Sequence, residues 1–276
     1  MGVRETGAPD GRPVLYFHGT PGSRLDLAFG DGIARDLGVR VISFDRPGYG
    51  RSDPAPFGLT AVAEDARAVA DALGLDRMSA LGWSGGGPFA LATAAVLGDR
   101  VTTVGVASGP GPFQQVPGAL AQLEDSDLEA LALLPGRADR AAARFSVGSE
   151  MMVAFKDDEQ TFMASMEALF GGTDAGVLQD PALRHHLFTM LSEGLRQGAV
   201  GGGWDNVAWL GPWDVDLAAV HCPVHLWYGE QDSTVPLAHG RWLAEHLSHA
   251  RLVVWPGEGH LALLRHLPEI LDPLTR

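Results

Sequence analysis

The sequence predicts an α/β fold: a mainly parallel central sheet with helices on both faces and a helical block inserted into it. Short apolar runs rich in branched and aromatic residues alternate with longer stretches of helical periodicity. Repetition of strand, helix and strand builds a parallel sheet whose two faces are both covered. The alternation fails between about residues 112 and 204, where no strand pattern is found, and then resumes.

Taken in order, Val14 to Phe17 reads as the first clear buried strand, followed by Val39 to Phe44, Met78 to Gly82 and Val101 to Ala107. Each is bounded by Gly, Pro or charge. Between the second and third, Thr60 is a candidate N-cap, Val62, Ala66, Val69 and Leu73 recur at helical spacing, and Gly74 ends the run. Pro88 to Leu97 reads as the next helix. The inserted block reads as helices around Leu123 to Leu134, Ala138 to Phe155, Gln160 to Phe170 and Pro181 to Leu195. Pro135 and Gly136, Gly171 and Gly172, and Gly201 to Gly203 are read as the breakers between them. Strands resume at Val224 to Tyr228 and Leu252 to Trp255, with a helix from Leu237 to Leu247 between them. The expected organisation is a core of residues 1–111 and 205–276 carrying a cap of residues 112–204.

The chain of 276 residues is 46% apolar and 20% charged, the balance of a folded globular protein with a sizeable core. Its formal charge of −14 argues against nucleic acid or an anionic membrane as partner, since both are held by clustered cations. Cys222 is the only cysteine, so neither an intrachain disulfide nor a thiolate metal cluster is available. No apolar leader segment is evident and no apolar run approaches the ~18 residues of a membrane span. A soluble, cytoplasmic protein acting on a small molecule is expected.

Three loops carry residues suited to chemistry. Gly82-Trp83-Ser84-Gly85-Gly86 follows an expected strand and opens an expected helix. A Ser at such a turn is strained, Gly82 and Gly86 relieve the crowding, and the helix start aims free N–H groups at developing negative charge. A capping Ser in a Gly-rich turn fits the same five residues equally well. Asp232 lies just past the Val224 strand and His260 just past the Leu252 strand; each also reads as ordinary loop chemistry, a helix cap and a surface side chain. All three nevertheless fall after parallel strands, whose carboxyl ends share one edge of the sheet. Their chain order is Ser, Asp, His. His18-Gly19-Thr20-Pro21-Gly22 follows the first clear strand, and His18 is expected to orient that loop.

With these residues in place, the sequence resembles the α/β-hydrolase family of serine hydrolases, in the branch of small esterases, prolyl iminopeptidase-like enzymes and carbon–carbon bond hydrolases. The resemblance runs over nearly the whole chain, through His18 to Pro21, Asp45 to Ser52, Gly82 to Gly86, Gly229 to Pro236 and Gly257 to His260. It implies Ser84 as nucleophile, His260 as base, Asp232 as orienting acid, the N–H groups of Thr20 and Gly85 as oxyanion hole, and the helical block as a cap. It implies no metal and no cofactor. Only about a dozen residues precede the first clear strand, so the family's N-terminal hairpin is expected to be shortened or absent and the sheet to have seven strands.

Glu230 competes with Asp232 for the role of acid and is set second because the resemblance implies an acid at the position of Asp232 relative to the strand. Arg46 and Tyr49 are expected to brace the site. Pro223 prevents His221 and His225 from sharing a helix face as a metal pair, and His239, His246 and His249 read as a solvated face. Trp83, Phe113 and Leu261 are the expected substrate-binding residues. Met and Phe side chains of the block, among them Met151, Met152, Phe162, Met163, Met166, Phe170 and Met190, are expected mostly to form its own core. The acidic cap residues Glu150, Asp157, Asp158, Glu159 and Glu167 leave a prolyl iminopeptidase open. The function expected is cleavage of a small, fairly apolar ester through an acyl-enzyme. Amide or carbon–carbon cleavage, or a non-hydrolytic binding protein or cofactor-free oxidant on the same fold, are the alternatives.

Overall fold

The computed structural model describes every residue except Gly171 and Arg276, and Leu169 by its backbone alone. One seven-stranded sheet runs through the molecule: β1 (Val3–Gly7), β2 (Arg12–Phe17), β3 (Val39–Phe44), β4 (Met78–Trp83), β5 (Val101–Ala107), β6 (Val224–Gly229) and β7 (Ala250–Trp255). Their order across the sheet is β1-β3-β2-β4-β5-β6-β7, and every pairing is parallel except β1 with β3. The shortened N-terminal hairpin is thus a single edge strand, half-exposed along its length.

The β2-to-β3 connection moves outward on one side of β2, whereas β4 returns to its other side. The sheet therefore reverses its winding between β2 and β4, where a crevice opens at the carboxyl ends of the strands. β2, β4 and β5 are almost entirely buried, as expected of strands covered on both faces. One apolar core lies under Leu59–Ala72 and Gly87–Leu97; the other packs Trp227, Leu263, Leu267 and Leu271 against cap residues Phe162, Met163, Leu187 and Met190.

Between β5 and β6 the described residues form helices and turns with no strand. The helices are Asp125–Leu131, Ala138–Ser146, Glu150–Phe155, Glu159–Phe170, Ala175–Leu178, Pro181–Gly194 and Val200–Leu210. The stretch read as one helix from Ala138 is divided by a tight turn at Val147–Ser149. Of the expected Gly171–Gly172 breaker, Gly171 lies outside the described residues; Gly172 has a positive φ of 63°.

Two local expectations are corrected. Gly201 to Gly203 do not break the chain but lie inside the Val200–Leu210 helix, which runs past residue 204. A side chain at 201 would strike the Tyr49 ring, and one at 203 the Ala142 carbonyl, so close packing explains what propensity disfavours. Thr60 is not the N-cap: the helix begins at Leu59, and Asp214, from the segment returning to the sheet, accepts from the Thr60 N–H at 3.2 Å.

Candidate active site

Ser84 sits on the turn between β4 and the Gly87–Leu97 helix with φ of 52°, one of two non-glycine residues with positive φ among those described. Such a conformation persists only where the surroundings impose it. A Cβ at Gly82 would strike the Gly86 carbonyl, and one at Gly86 the Phe17 carbonyl, so the two backbones touch where the Ser is presented.

The loops after β6 and β7 bring Asp232 and His260 to the same place. His260 Nε2 lies 2.9 Å from Ser84 Oγ, and His260 Nδ1 lies 2.8 Å from Asp232 Oδ2. Asp232 Oδ1 takes the N–H groups of Thr234 at 2.9 Å and Val235 at 2.8 Å. Burial alone would raise the Asp232 carboxyl. The His260 charge and the bonds from His260, the Val235 N–H and Ser108 outweigh it and hold the group below the usual carboxylate range. With Asp232 ionised and accepting at Oδ2, His260 Nδ1 carries its proton and Nε2 is the atom that accepts from Ser84. Glu230 is exposed at the surface and has no side-chain partner among the described residues.

Two aromatic rings lie against the imidazole. Trp83 is tilted at 5.8 Å between centroids and donates from its indole to the His260 carbonyl at 3.3 Å; Phe170 stacks at 6.0 Å with 11° between planes. The inserted block also grips the backbone of this loop. Asp174, buried, accepts from the His260 N–H at 2.9 Å and from the Leu261 N–H at 2.8 Å. Burial raises its carboxyl above the ordinary value, and the two N–H bonds offset only part of that. A side chain at Gly259 would collide with this carboxylate.

The loop after β2 supplies the facing wall. Arg46, fully buried, donates from Nη1 to the His18 carbonyl at 2.8 Å and from Nη2 to the Gly19 carbonyl at 3.1 Å. Its guanidinium is paired with buried Asp205, through Nε to Oδ1 at 2.7 Å and Nη2 to Oδ2 at 2.5 Å, and Asp205 also accepts from Thr20 Oγ1 and Tyr49 OH, each at 2.6 Å. His18 Nδ1 donates to the Gly19 carbonyl at 2.8 Å and Nε2 faces the Arg46 N–H at 3.4 Å. Burial, then the Arg46 charge, keep its pKa well below the ordinary value, so it holds the loop as a neutral ring. Asp26 accepts from the Gly19 N–H at 3.1 Å; burial pushes its carboxyl up to about 6. The N–H groups of Thr20 and Gly85 have no hydrogen-bond partner among the described residues.

A cavity of about 250 Å³ opens over Ser84 and His260. Thr20, Trp83, Met152, Met166, Phe170, Leu187, Met190, Leu191, Asn206 and Trp209 contribute to its lining, and no Asp or Glu does. Of the three substrate-binding residues expected, only Trp83 is there. Phe113 stands behind Trp209 and against His239, with ring centroids at 5.7 and 4.9 Å, and Leu261 is fully buried in the core. His239 is not on a solvated face. It is buried, accepts from the Gly111 N–H at 3.1 Å, and burial lowers its pKa to about 4. Asp174, Asp205, Asn206 and Trp209 were not anticipated: an Asp after Gly-Gly-Thr reads as a cap, and nothing local marks the others. Among the described residues no cluster of His, Cys, Asp and Glu has the form of a metal site. No helix among them is long and apolar enough to cross a membrane.

Known proteins agree with this architecture. The family model for the alpha/beta hydrolase fold matches residues 12–267. A pimeloyl-[acyl-carrier protein] methyl ester esterase of Chromobacterium violaceum is 31% identical over 251 residues, covering 88% of this chain and 86% of its own. A non-heme chloroperoxidase of Streptomyces lividans is 28% identical over 278 residues, covering 98% and 92%. Among solved structures, an esterase from Exiguobacterium antarcticum superposes with a TM-score of 0.70 at 21% identity, over 99% of this chain and 92% of its own, a likeness of fold. Sequence motifs, strand order and family match coincide over the same residues, and the chain belongs to the α/β-hydrolase family.

Proposed function

We propose that this protein is a serine carboxylesterase for compact, fairly apolar esters. The observation that carries the reading is the hydrogen-bonded series Ser84–His260–Asp232 at 2.9 and 2.8 Å, opening into a cavity lined without a carboxylate. His260 Nε2 takes the Ser84 proton as Oγ bonds to the ester carbonyl carbon. The tetrahedral oxyanion is met by the N–H groups of Thr20 and Gly85, a contribution on the order of 10²–10³ in rate per donor. Collapse breaks the bond to the alcohol, which leaves with the proton from His260. Water, deprotonated by the same nitrogen, then releases the acid and restores Ser84. The residues held together by hydrogen bonds complete this cycle without a further group.

The lining argues against an aminopeptidase. A free substrate amine needs an acid beside it, and none of Glu150, Asp157, Asp158, Glu159 and Glu167 reaches the cavity. The expected result is a kcat/KM for p-nitrophenyl butyrate well above that for proline p-nitroanilide. Faster turnover of the anilide overturns the assignment in favour of a peptidase, and turnover of neither overturns the ester reading in favour of the carbon–carbon or non-hydrolytic alternatives.

The cap helps to place the base. In Asp174→Asn one of the two N–H groups of the His260 loop loses its acceptor and meets an amide N–H instead. The charged hydrogen bonds lost are worth about 1.5–3 kcal/mol each, so Tm should fall. Because small displacements at a reacting centre are costly, kcat should drop by about 10–100-fold with KM changed by less than about threefold. Unchanged kcat in a folded variant would reduce Asp174 to a structural tie between the inserted block and the His260 loop.

A further inference from the structure

Trp209 presents a donor that the fold does not use. Its Nε1 atom is buried and has no hydrogen-bond partner among the described residues, whereas the other tryptophan of the cavity wall, Trp83, spends its N–H on the His260 carbonyl. Trp209 comes from the Val200–Leu210 helix, its ring packed on Phe113 at 5.7 Å, and it lines the cavity together with Asn206, one turn earlier on the same helix. Its position is specific. A methyl group placed on Gly85 would lie 3.3 Å from Trp209 Nε1 and would collide with the Thr20 side chain. The indole edge therefore stands beside the two residues whose main-chain N–H groups have no partner, in the space that a larger residue after Ser84 would fill. A buried polar group left without a partner costs free energy, and the Met, Leu and Phe side chains that make up most of the wall offer it none. The cavity is the side from which an acceptor can reach it.

We propose that Trp209 donates its indole N–H to an acceptor oxygen carried by the acyl group next to the scissile carbonyl, so that the site selects 2-alkoxy or similarly oxygenated acyl esters over their hydrocarbon isosteres. This rests on the esterase reading above. The reason for the acyl side is the division of the cavity. The alcohol must depart toward His260 Nε2, on the wall formed by Phe170 and Thr234, because that nitrogen protonates it. The carbonyl oxygen is provided for by the N–H groups of Thr20 and Gly85. A third donor at the edge of that pair reaches the substituent on the adjoining carbon. The remaining lining, Met152, Met166, Leu187, Met190 and Leu191, suits the apolar end of the same acyl chain. A site built to donate to a substrate oxygen disfavours the analogue that lacks it, since its own buried donor is then left unpaired.

The test uses p-nitrophenyl methoxyacetate and p-nitrophenyl butyrate, which differ by an ether oxygen in place of one methylene. Their kcat/KM ratio is measured for the wild-type protein and for Trp209→Phe, and each is divided by the ratio of hydroxide-catalysed rates to remove intrinsic reactivity. The expected wild-type preference for methoxyacetate is about tenfold, the size of one hydrogen bond, and it should vanish in Trp209→Phe. Trp209→Gln, which restores a side-chain N–H without the ring, should recover part of it. A corrected wild-type ratio near one overturns the proposal without any variant having to fold. So does a Trp209→Phe loss that falls equally on both esters, which would place the N–H on atoms common to them. Turnover of neither ester by the wild type would remove the esterase reading and this inference with it; a flat ratio with brisk turnover of both removes only the inference.

Discussion

Ser84→Ala is expected to lower kcat for p-nitrophenyl esters by about 10⁴-fold or more, with Tm moved only slightly. The two halves of this expectation have separate causes. Alanine keeps the Cβ that the turn already accommodates at φ of 52°, so backbone strain is the same before and after. What is lost in folding is one hydrogen bond to His260 Nε2, worth about 1 kcal/mol. What is lost in catalysis, on the proposed mechanism, is the Oγ atom that would bond the carbonyl carbon, 2.9 Å from His260 Nε2. The check has two arms. A fluorophosphonate probe should label the wild type at Ser84 and leave the variant unlabelled, and ester turnover should fall in parallel. Labelling at another serine, or turnover that survives the substitution, would refute the assignment of the nucleophile and with it the reaction.

The elements that position this serine were legible because they obey a local rule. Each of Ser84, Asp232 and His260 follows a parallel strand, and parallel strands place their following loops on one edge. Chain order and strand pattern together therefore brought the three residues to one crevice without any knowledge of distance. The bracing of the loop after β2 was legible only in part. Arg46 and Tyr49 are visible in the Asp45 to Ser52 loop, but their common partner Asp205 is 159 positions beyond Arg46. No local pattern joins residues so far apart when one of them belongs to the inserted block. Asp174, Asn206 and Trp209 were unreadable for the same reason: helical periodicity tells which face of a helix is apolar, not where the helix lies over the sheet. Phe113 shows the opposite error. It is an aromatic residue at the entry to the block, yet it backs the cavity wall from behind. His239 reads as solvated because its helix and the turn after it carry three histidines and a polar appearance, while the Gly111 N–H and the Phe113 ring enclose this one alone. Gly201 to Gly203 were read as a break because glycine is a poor helix former; the Tyr49 ring and the Ala142 carbonyl occupy the space that side chains would need.

Asp232→Asn should cost about 10³–10⁴ in kcat, and Glu230→Gln less than about twofold. The geometry explains why an isosteric change does so much. Asp232 Oδ1 is held by the Thr234 and Val235 N–H groups, two donors that only an oxygen can satisfy. In the asparagine variant the amide oxygen takes that position, and the NH₂ group turns toward His260 Nδ1, 2.8 Å from the atom it replaces. Two donors cannot face each other, so the imidazole must accept at Nδ1 and carry its proton on Nε2. That is the tautomer that cannot receive the Ser84 proton, and the carboxylate that would stabilise the imidazolium is gone as well. KM should change little, because Asp232 lies behind the imidazole and does not line the cavity. The orientation of the ring in the folded variant should persist, since Trp83, Phe170 and the grip of Asp174 on the His260 backbone are untouched. The loss is thus chemical, and Tm need not follow it. Glu230 extends into solvent two residues earlier and should leave kcat where it was. Should Glu230→Gln inactivate the protein while Asp232→Asn turns over normally, the acid would move to Glu230; the reaction would stand, and the loop after β6 would have to be redrawn around it.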